Sequence, residues 1–272
     1  MSSSPFDPKK PADATGMSRG LVNYGDAGFS LFLRKAFIKG AGYTDAALDR
    51  PVVGIADTGS GYNPCHGNMP QLVEAVQRGV MLAGGLPVKF PTISIGESFA
   101  QPTSMYLRNL MSMDTEEMIR AQPIHGVVLL GGCDKTVPAQ LMGAASADLP
   151  ALVVTGGPML NGEYEGRTLG ACSDCRFFWQ EFRAGAIDEE RLEEINAALA
   201  PSAGHCMVMG SASTMAVVTE TMGMMLPGGA AYPAPDNRRL RHAEESGRQI
   251  VHRVREGLRP SQVITRESLE NG

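Results

Sequence analysis

Apolar positions along the chain follow two rhythms. Four short runs are almost continuously apolar: residues 51–57 (PVVGIAD), 88–95 (VKFPTISI), 125–132 (HGVVLLGG) and 151–157 (ALVVTGG). Each is strand-sized and runs into turn-forming residues, which predicts strands buried on both faces. Pro91 lacks a ladder donor and directs the second strand to a sheet edge. Elsewhere apolar residues recur every three or four positions. Phe29, Leu31, Phe32, Ala36 and Phe37 predict a helix over 26–42. Leu72, Val73, Val76, Val80 and Met81 predict another, starting near Asn68 and stopping at Gly84-Gly85. Two helical segments follow the second strand, the later one opening with Asp114 and Glu117 at capping-box spacing. Further helices are expected over 138–147, twice within 173–200, over the Met-rich stretch 213–226, and in the charged tail 236–272, which breaks at Pro260.

Strands alternating with helices imply an α/β fold, a parallel sheet with helices on its faces. Residues 1–20, polar and with three prolines before any apolar stretch, read as a loosely packed arm, leaving 21–272 as one domain. Glycine doublets (Gly84-Gly85, Gly131-Gly132, Gly156-Gly157, Gly228-Gly229) close the apolar runs as turn punctuation. No repeat at solenoid period is visible.

Composition narrows the function classes. With 24 Lys+Arg against 29 Asp+Glu, the formal charge is -5, which argues against a broad basic face for nucleic acid. No apolar run approaches the ~20 residues of a membrane-spanning helix. The N-terminus lacks a secretory pattern, so a cytoplasmic protein is expected. Five cysteines are an odd number and do not suggest a disulfide framework.

Ligands of open parallel sheets bind beyond the carboxyl ends of the strands. Those ends carry Cys65 after the first strand, Glu97 after the second, and Cys133, Asp134, Lys135 and Thr136 after the third. His205-Cys206 precedes the Met-rich helix. Cys65, Cys133 and Cys206 are 68 and 73 residues apart, too far for a local zinc finger or a ferredoxin run. The spacing suits a site assembled from several loops, where three thiolates could hold an iron–sulfur cluster with one iron open as a Lewis acid. Isolated cysteines are also commonly buried small apolar residues. Asp134 and Glu97 suit Mg²⁺, although an Asp after a strand equally fits a helix N-cap with Lys135 as a solvated neighbour. Cys172 and Cys175 form a lone Cys-x-x-Cys without a second pair, for which packing or a loop is the expected role. His66 and His205 read as structural, His205 standing behind the cysteines at closest, and the methionines of 207–225 as core.

The segments NPCHGN (63–68), GES (96–98), GGCDKTVPAQLMGAAS (131–146), GGPML (156–160) and GHCMVMGSASTMA (204–216) resemble the IlvD/Edd dehydratase family from about residue 18 onward. The resemblance implies that Cys65, Cys133 and Cys206 hold a [2Fe–2S] cluster. It implies that Glu97, Asp134 and Lys135, the last as a carbamate, bind Mg²⁺, with Thr136 and His205 behind them. The implied reaction removes water from a 2,3-dihydroxy acid to give a 2-keto-3-deoxy acid. GES, where the branched-chain amino-acid enzyme usually has Ser-Asp-Gly-Ile, leans toward aldonates such as arabinonate or xylonate. Dihydroxy-acid dehydratase is the alternative. His66 stands where many relatives have Asn. The family's C-terminal, β-barrel-like half, with its proton-abstracting serine and a further Mg²⁺-binding glutamate, has no counterpart here. The chain alone is therefore expected to be inactive. A homo-oligomer, dimer or tetramer, is expected. The rival of another class is a non-catalytic metal-binding fragment, with zinc at Cys172 and Cys175.

Overall fold

The computed structural model describes residues 16–272. The arm expected over 1–20 lies mostly outside the described residues; within its last part Met17 is buried in the core. In chain order the helices and strands are α1 (Ala27–Gly40), α2 (Asp45–Leu48), β1 (Val52–Asp57), α3 (Met69–Leu82), β2 (Leu86–Pro91), α4 (Arg108–Ala121), β3 (Gly126–Gly131), α5 (Thr136–Ala147) and β4 (Ala151–Thr155). There follow β5 (Gly162–Tyr164), β6 (Arg167–Leu169), α6 (Ala171–Arg183), α7 (Glu189–Ala198), α8 (Ser211–Thr221), α9 (Asn237–Glu256), α10 (Pro260–Val263) and α11 (Arg266–Asn271).

Four strands form one parallel sheet in the order β2-β1-β3-β4. Alternation along each strand sends side chains to opposite faces. Val53, Ile55, Val128, Leu130, Leu152 and Val154 pack against α3 and α9. Val52, Ala56, Val127, Leu129, Ala151 and Val153 pack against α1, α4 and α5. Covering both faces explains why the strands read as continuous apolar runs. The expected α/β architecture is therefore observed, and Pro91 indeed closes an edge strand.

Several boundaries differ from the sequence reading. The second strand ends at Pro91, not at residue 95, because the chain leaves the sheet: the Thr92 N–H still reaches the Asp57 carbonyl, but the Ile93 N–H donates to Asp114 Oδ2 at 2.7 Å. Asp114 accordingly does not open a second helix. A single α4 runs through it, preceded by a 3₁₀ turn over Ser104–Leu107. The Met-rich helix stops at Thr221 rather than 226, where Gly223 takes a left-handed conformation (φ 82°). Met224 and Met225 fill the core from the following turn, whereas Met209, expected in the core, is exposed. The hairpin β5–β6 was not foreseen. Its two linking residues, Glu165 and Gly166, both have positive φ, the requirement of a tight two-residue hairpin turn.

Candidate active site

The C-terminal ends of β1, β2 and β3 deliver three loops to one edge of the sheet. A fourth segment arrives through a parallel bridge between Pro158 and His205, fixed by His205 N–H to the Gly157 carbonyl and Met159 N–H to the His205 carbonyl, both 2.9 Å. Together they line a cavity of about 580 Å³ that includes Cys65, Cys133, Cys206, Glu97, Asp134, Lys135 and His205. The first two turns of α6 close one side with Ala171, Cys172, Cys175 and Arg176.

His66 locks two of these loops together. Its Nδ1 donates to the Thr58 carbonyl at 2.8 Å, which leaves Nε2 to accept from the Gly132 and Cys133 N–H groups at 2.9 and 3.3 Å. The loop carrying Cys65 thus fixes the backbone of the loop carrying Cys133. Burial pushes the Cys133 thiol up, and the Thr136 hydroxyl, 3.0 Å from its sulfur, opposes this by hydrogen-bonding the thiolate. Cys65 is pushed up to about 12 by burial, reinforced by Cys133 and Asp134. Cys206 also rises to about 12, through burial and then the hydrogen bond with Cys172.

The polar side of the cavity is anionic with one central cation. Lys135 is buried, and its Nζ lies 2.7 Å from Asp134 Oδ2 and 3.3 Å from Glu97 Oε2. Burial opposes its charge, but the two carboxylates win and hold the ammonium above its ordinary range. The solvated-lysine reading is thus corrected. So is the N-cap reading of Asp134, since Lys135 precedes α5 without a side-chain cap and Asp134 instead accepts from Lys135 and from Ser211 Oγ at 3.0 Å. Glu97 accepts from the Ser104 and Thr103 hydroxyls and the Ser104 N–H, which hold it down at about 2. It stays a carboxylate across the physiological range.

The donor set combines soft thiols with hard carboxylates in one cavity, types that suit a soft and a hard metal group respectively. His205 adds a second indication. Its Nδ1 donates to the Cys206 carbonyl at 3.0 Å, and its Nε2 is buried without a partner, a cost that a guest in the cavity would relieve. Among the described residues no three His, Cys, Asp or Glu side chains are close enough to share a single ion.

Sequence reasoning missed two contributors. Cys172, expected to be packing, lies with its sulfur 2.7 Å from that of Cys206. Its first-turn position on a helix that folds back over residue 206 had no local signal. Arg239, hidden in the charged tail, is wholly buried. Its guanidinium donates to the Thr155, Gly229 and Tyr232 carbonyls, and burial lowers it to about 10. It anchors the turn after β4 that carries the bridge to His205.

This chain belongs to the dihydroxy-acid/6-phosphogluconate dehydratase family, whose N-terminal part it matches over residues 50–272. It is 48% identical to L-arabonate dehydratase of Azospirillum brasilense over 88% of this chain and 41% of that protein. It is 43% identical to L-arabinonate dehydratase of Rhizobium leguminosarum bv. trifolii over 97% of this chain and 46% of the other. To dihydroxy-acid dehydratase of Halothermothrix orenii it is 38% identical, over 90% and 45%. The chain spans less than half the length of these relatives. Among the described residues no helix is long and apolar enough to cross a membrane.

Proposed function

We propose that this chain is the metal-binding half of a hydro-lyase that removes water from a 2,3-dihydroxy sugar acid, an aldonate such as arabinonate or xylonate, and forms a 2-keto-3-deoxy acid. Cys65, Cys133 and Cys206 would hold a [2Fe–2S] cluster, and Glu97, Asp134 and Lys135, as its carbamate, would hold Mg²⁺. When bound, these groups supply Lewis acidity for the departing hydroxyl and a positive anchor for the carboxylate. The chain's own residues prepare the site. Thr103 and Ser104 keep Glu97 anionic, Ser211 orients Asp134, and His66 sets the Cys133 loop. The residue that takes the C2 proton is proposed to lie outside these 272 residues.

The observation that carries the reading is the convergence of three thiols with Glu97, Asp134 and Lys135 on one cavity at the sheet's C-terminal edge. The greater identity to the two relatives named for arabinonate than to the dihydroxy-acid dehydratase supports the aldonate assignment. Anaerobic reconstitution tests the cofactor: the chain takes up iron and acid-labile sulfide and turns brown, and Cys133→Ser does not. Colourless parent protein, or stoichiometric zinc without sulfide, overturns the proposal. Substrate class is tested on the whole gene-encoded polypeptide. An aldonate panel should be turned over in preference to 2,3-dihydroxyisovalerate, and the reverse preference would make it a dihydroxy-acid dehydratase.

A further inference from the structure

We propose that Cys172 and Cys206 form a reversible disulfide in the cofactor-free chain, so that Cys172 is a redox-modification site governing access to one of the cavity's thiols. The two sulfurs are already in contact at 2.7 Å. The segments that carry them are docked independently of any bond between the sulfurs. The Ala171 N–H donates to Met207 Sδ at 3.1 Å, and the Gly170 N–H is held by Asp174 Oδ2 at 2.7 Å. Asp174 is in turn paired with Arg167. A Cβ on Gly170 would collide with Val208, so the start of α6 rests directly on the strip that follows Cys206. The fold itself brings the two sulfurs together, and separation of the two segments is the usual obstacle to a disulfide. Cys172 is exposed and Cys206 half-buried, so a small-molecule disulfide reaches the former first.

The chemistry balances with a low-molecular-weight disulfide such as oxidised glutathione. The Cys172 thiolate attacks one sulfur of the reagent. That S–S bond breaks, and the first glutathione leaves with the electron pair and takes up a proton. Cys206 then loses its proton to solvent and attacks the Cys172 sulfur of the mixed disulfide, expelling the second glutathione. Two protein thiols are oxidised and one external disulfide is reduced to two thiols. The consequence for cofactor loading rests on the proposed role of Cys206 as a cluster ligand: while the bond is closed, that sulfur is unavailable to iron.

The test uses the full chain prepared under chelation, treated with oxidised glutathione, alkylated and digested with trypsin. The peptides 168–176 and 192–238 should be recovered cross-linked, released by dithiothreitol, retained in Cys175→Ser and lost in Cys172→Ser. Cys206 that stays fully alkylatable in the parent, or a cross-link that persists in Cys172→Ser, overturns the proposal. Iron and sulfide uptake is measured on the same samples. The oxidised parent should load only after reduction, and Cys172→Ser should load without it. A chain that forms the disulfide yet never takes up iron when reduced would refute the cluster reading alone. A chain that loads iron but keeps Cys206 alkylatable after oxidation would refute the disulfide alone.

Discussion

The carbonyl oxygen of Cys65 has a glycine on two sides. A Cβ on Gly132 would stand 2.5 Å from it and 3.0 Å from the His66 ring, and one on Gly156 would stand 3.0 Å away. The loops that carry Cys65 and Cys133 can therefore approach only because residue 132 has no side chain. The obstacle is backbone, which cannot swing aside as a rotamer would. Gly132→Ala should cost about 1–3 kcal/mol, the usual penalty of forcing atoms into a packed site, and should lower iron uptake by shifting Cys65 away from Cys133. Gly40→Ala, near the end of α1 with open space around it, serves as the comparison and should be neutral or slightly stabilising. Urea denaturation of both variants decides this, and equal stabilities would refute the close-approach argument. The glycine doublets were legible in the sequence as turn signals. Their second role was not, because it depends on residue 132 meeting residue 65, a contact that no local pattern encodes. The His66 bonds were hidden for the same reason: a lone histidine in a loop looks alike whether it faces water or two backbone amides.

Helix α9 shows what an element-level pattern reveals and conceals. Its charged, periodic sequence announced a helix, and its ends follow local rules: Asp236 accepts from the Arg238 N–H at the start, and Gly257 closes it at φ 69°. Which charged residues turn inward was not legible, because the pattern of a strongly basic helix resembles a solvated face. Gly79 of α3 and Gly247 of α9 bring the two backbones together, while Arg239 and His242 are buried where they bond the segment 226–232. His242 Nε2 donates to the Leu226 carbonyl at 2.9 Å while Nδ1 is buried without a partner. Burial lowers its proton affinity; the hydrogen bond to the Leu226 carbonyl opposes this in part, and the Arg239 charge adds to the lowering by less. The folded state thus resists a proton that the unfolded chain accepts near pH 6.5. Between the depressed native value and about 6.5 the unfolded state binds more protons, so stability rises with pH and is lost as pH falls below about 6.5. His205, also lowered by burial, acts with the same sign. Melting temperature should therefore drop from pH 7 to pH 5.5 more steeply in the parent than in His242→Gln. Parallel profiles would show that His242 is not protonated on unfolding in this range.

At the scale of the molecule, the parallel sheet gathers chemistry from distant parts of the chain. The alternation of strands and helices was legible enough to predict that the loops after β1, β2 and β3 would meet, and they do. That residues 204–206 join them was expected from the cysteine set and the family resemblance, but how they arrive was not legible, because it depends on the bridge from Pro158 to His205, on the hairpin β5–β6 that turns the chain, and on buried Arg239 holding the turn after β4. A group held at once by Cys65, Cys133 and Cys206 would tie three separately anchored segments into one unit, and only the folded chain presents them together. Binding of that kind adds its free energy to folding, about 1.4 kcal/mol for each tenfold excess of ligand over its dissociation constant. Thiolate ligation would also draw protons from Cys65 and Cys206, whose thiols burial pushes up to about 12, so the gain should grow with pH. The reconstituted chain is expected to melt above its chelated form, by a margin that widens from pH 7 to pH 8.5. Cys65→Ser and Cys206→Ser should lose the margin while melting close to the chelated parent, and Cys175→Ser should keep it. Coincident melting of loaded and chelated parent protein would mean that the three thiols do not bind one group in common. A margin retained in both serine variants would place the stabilising metal elsewhere, with Glu97, Asp134 and Lys135 as the next residues to substitute.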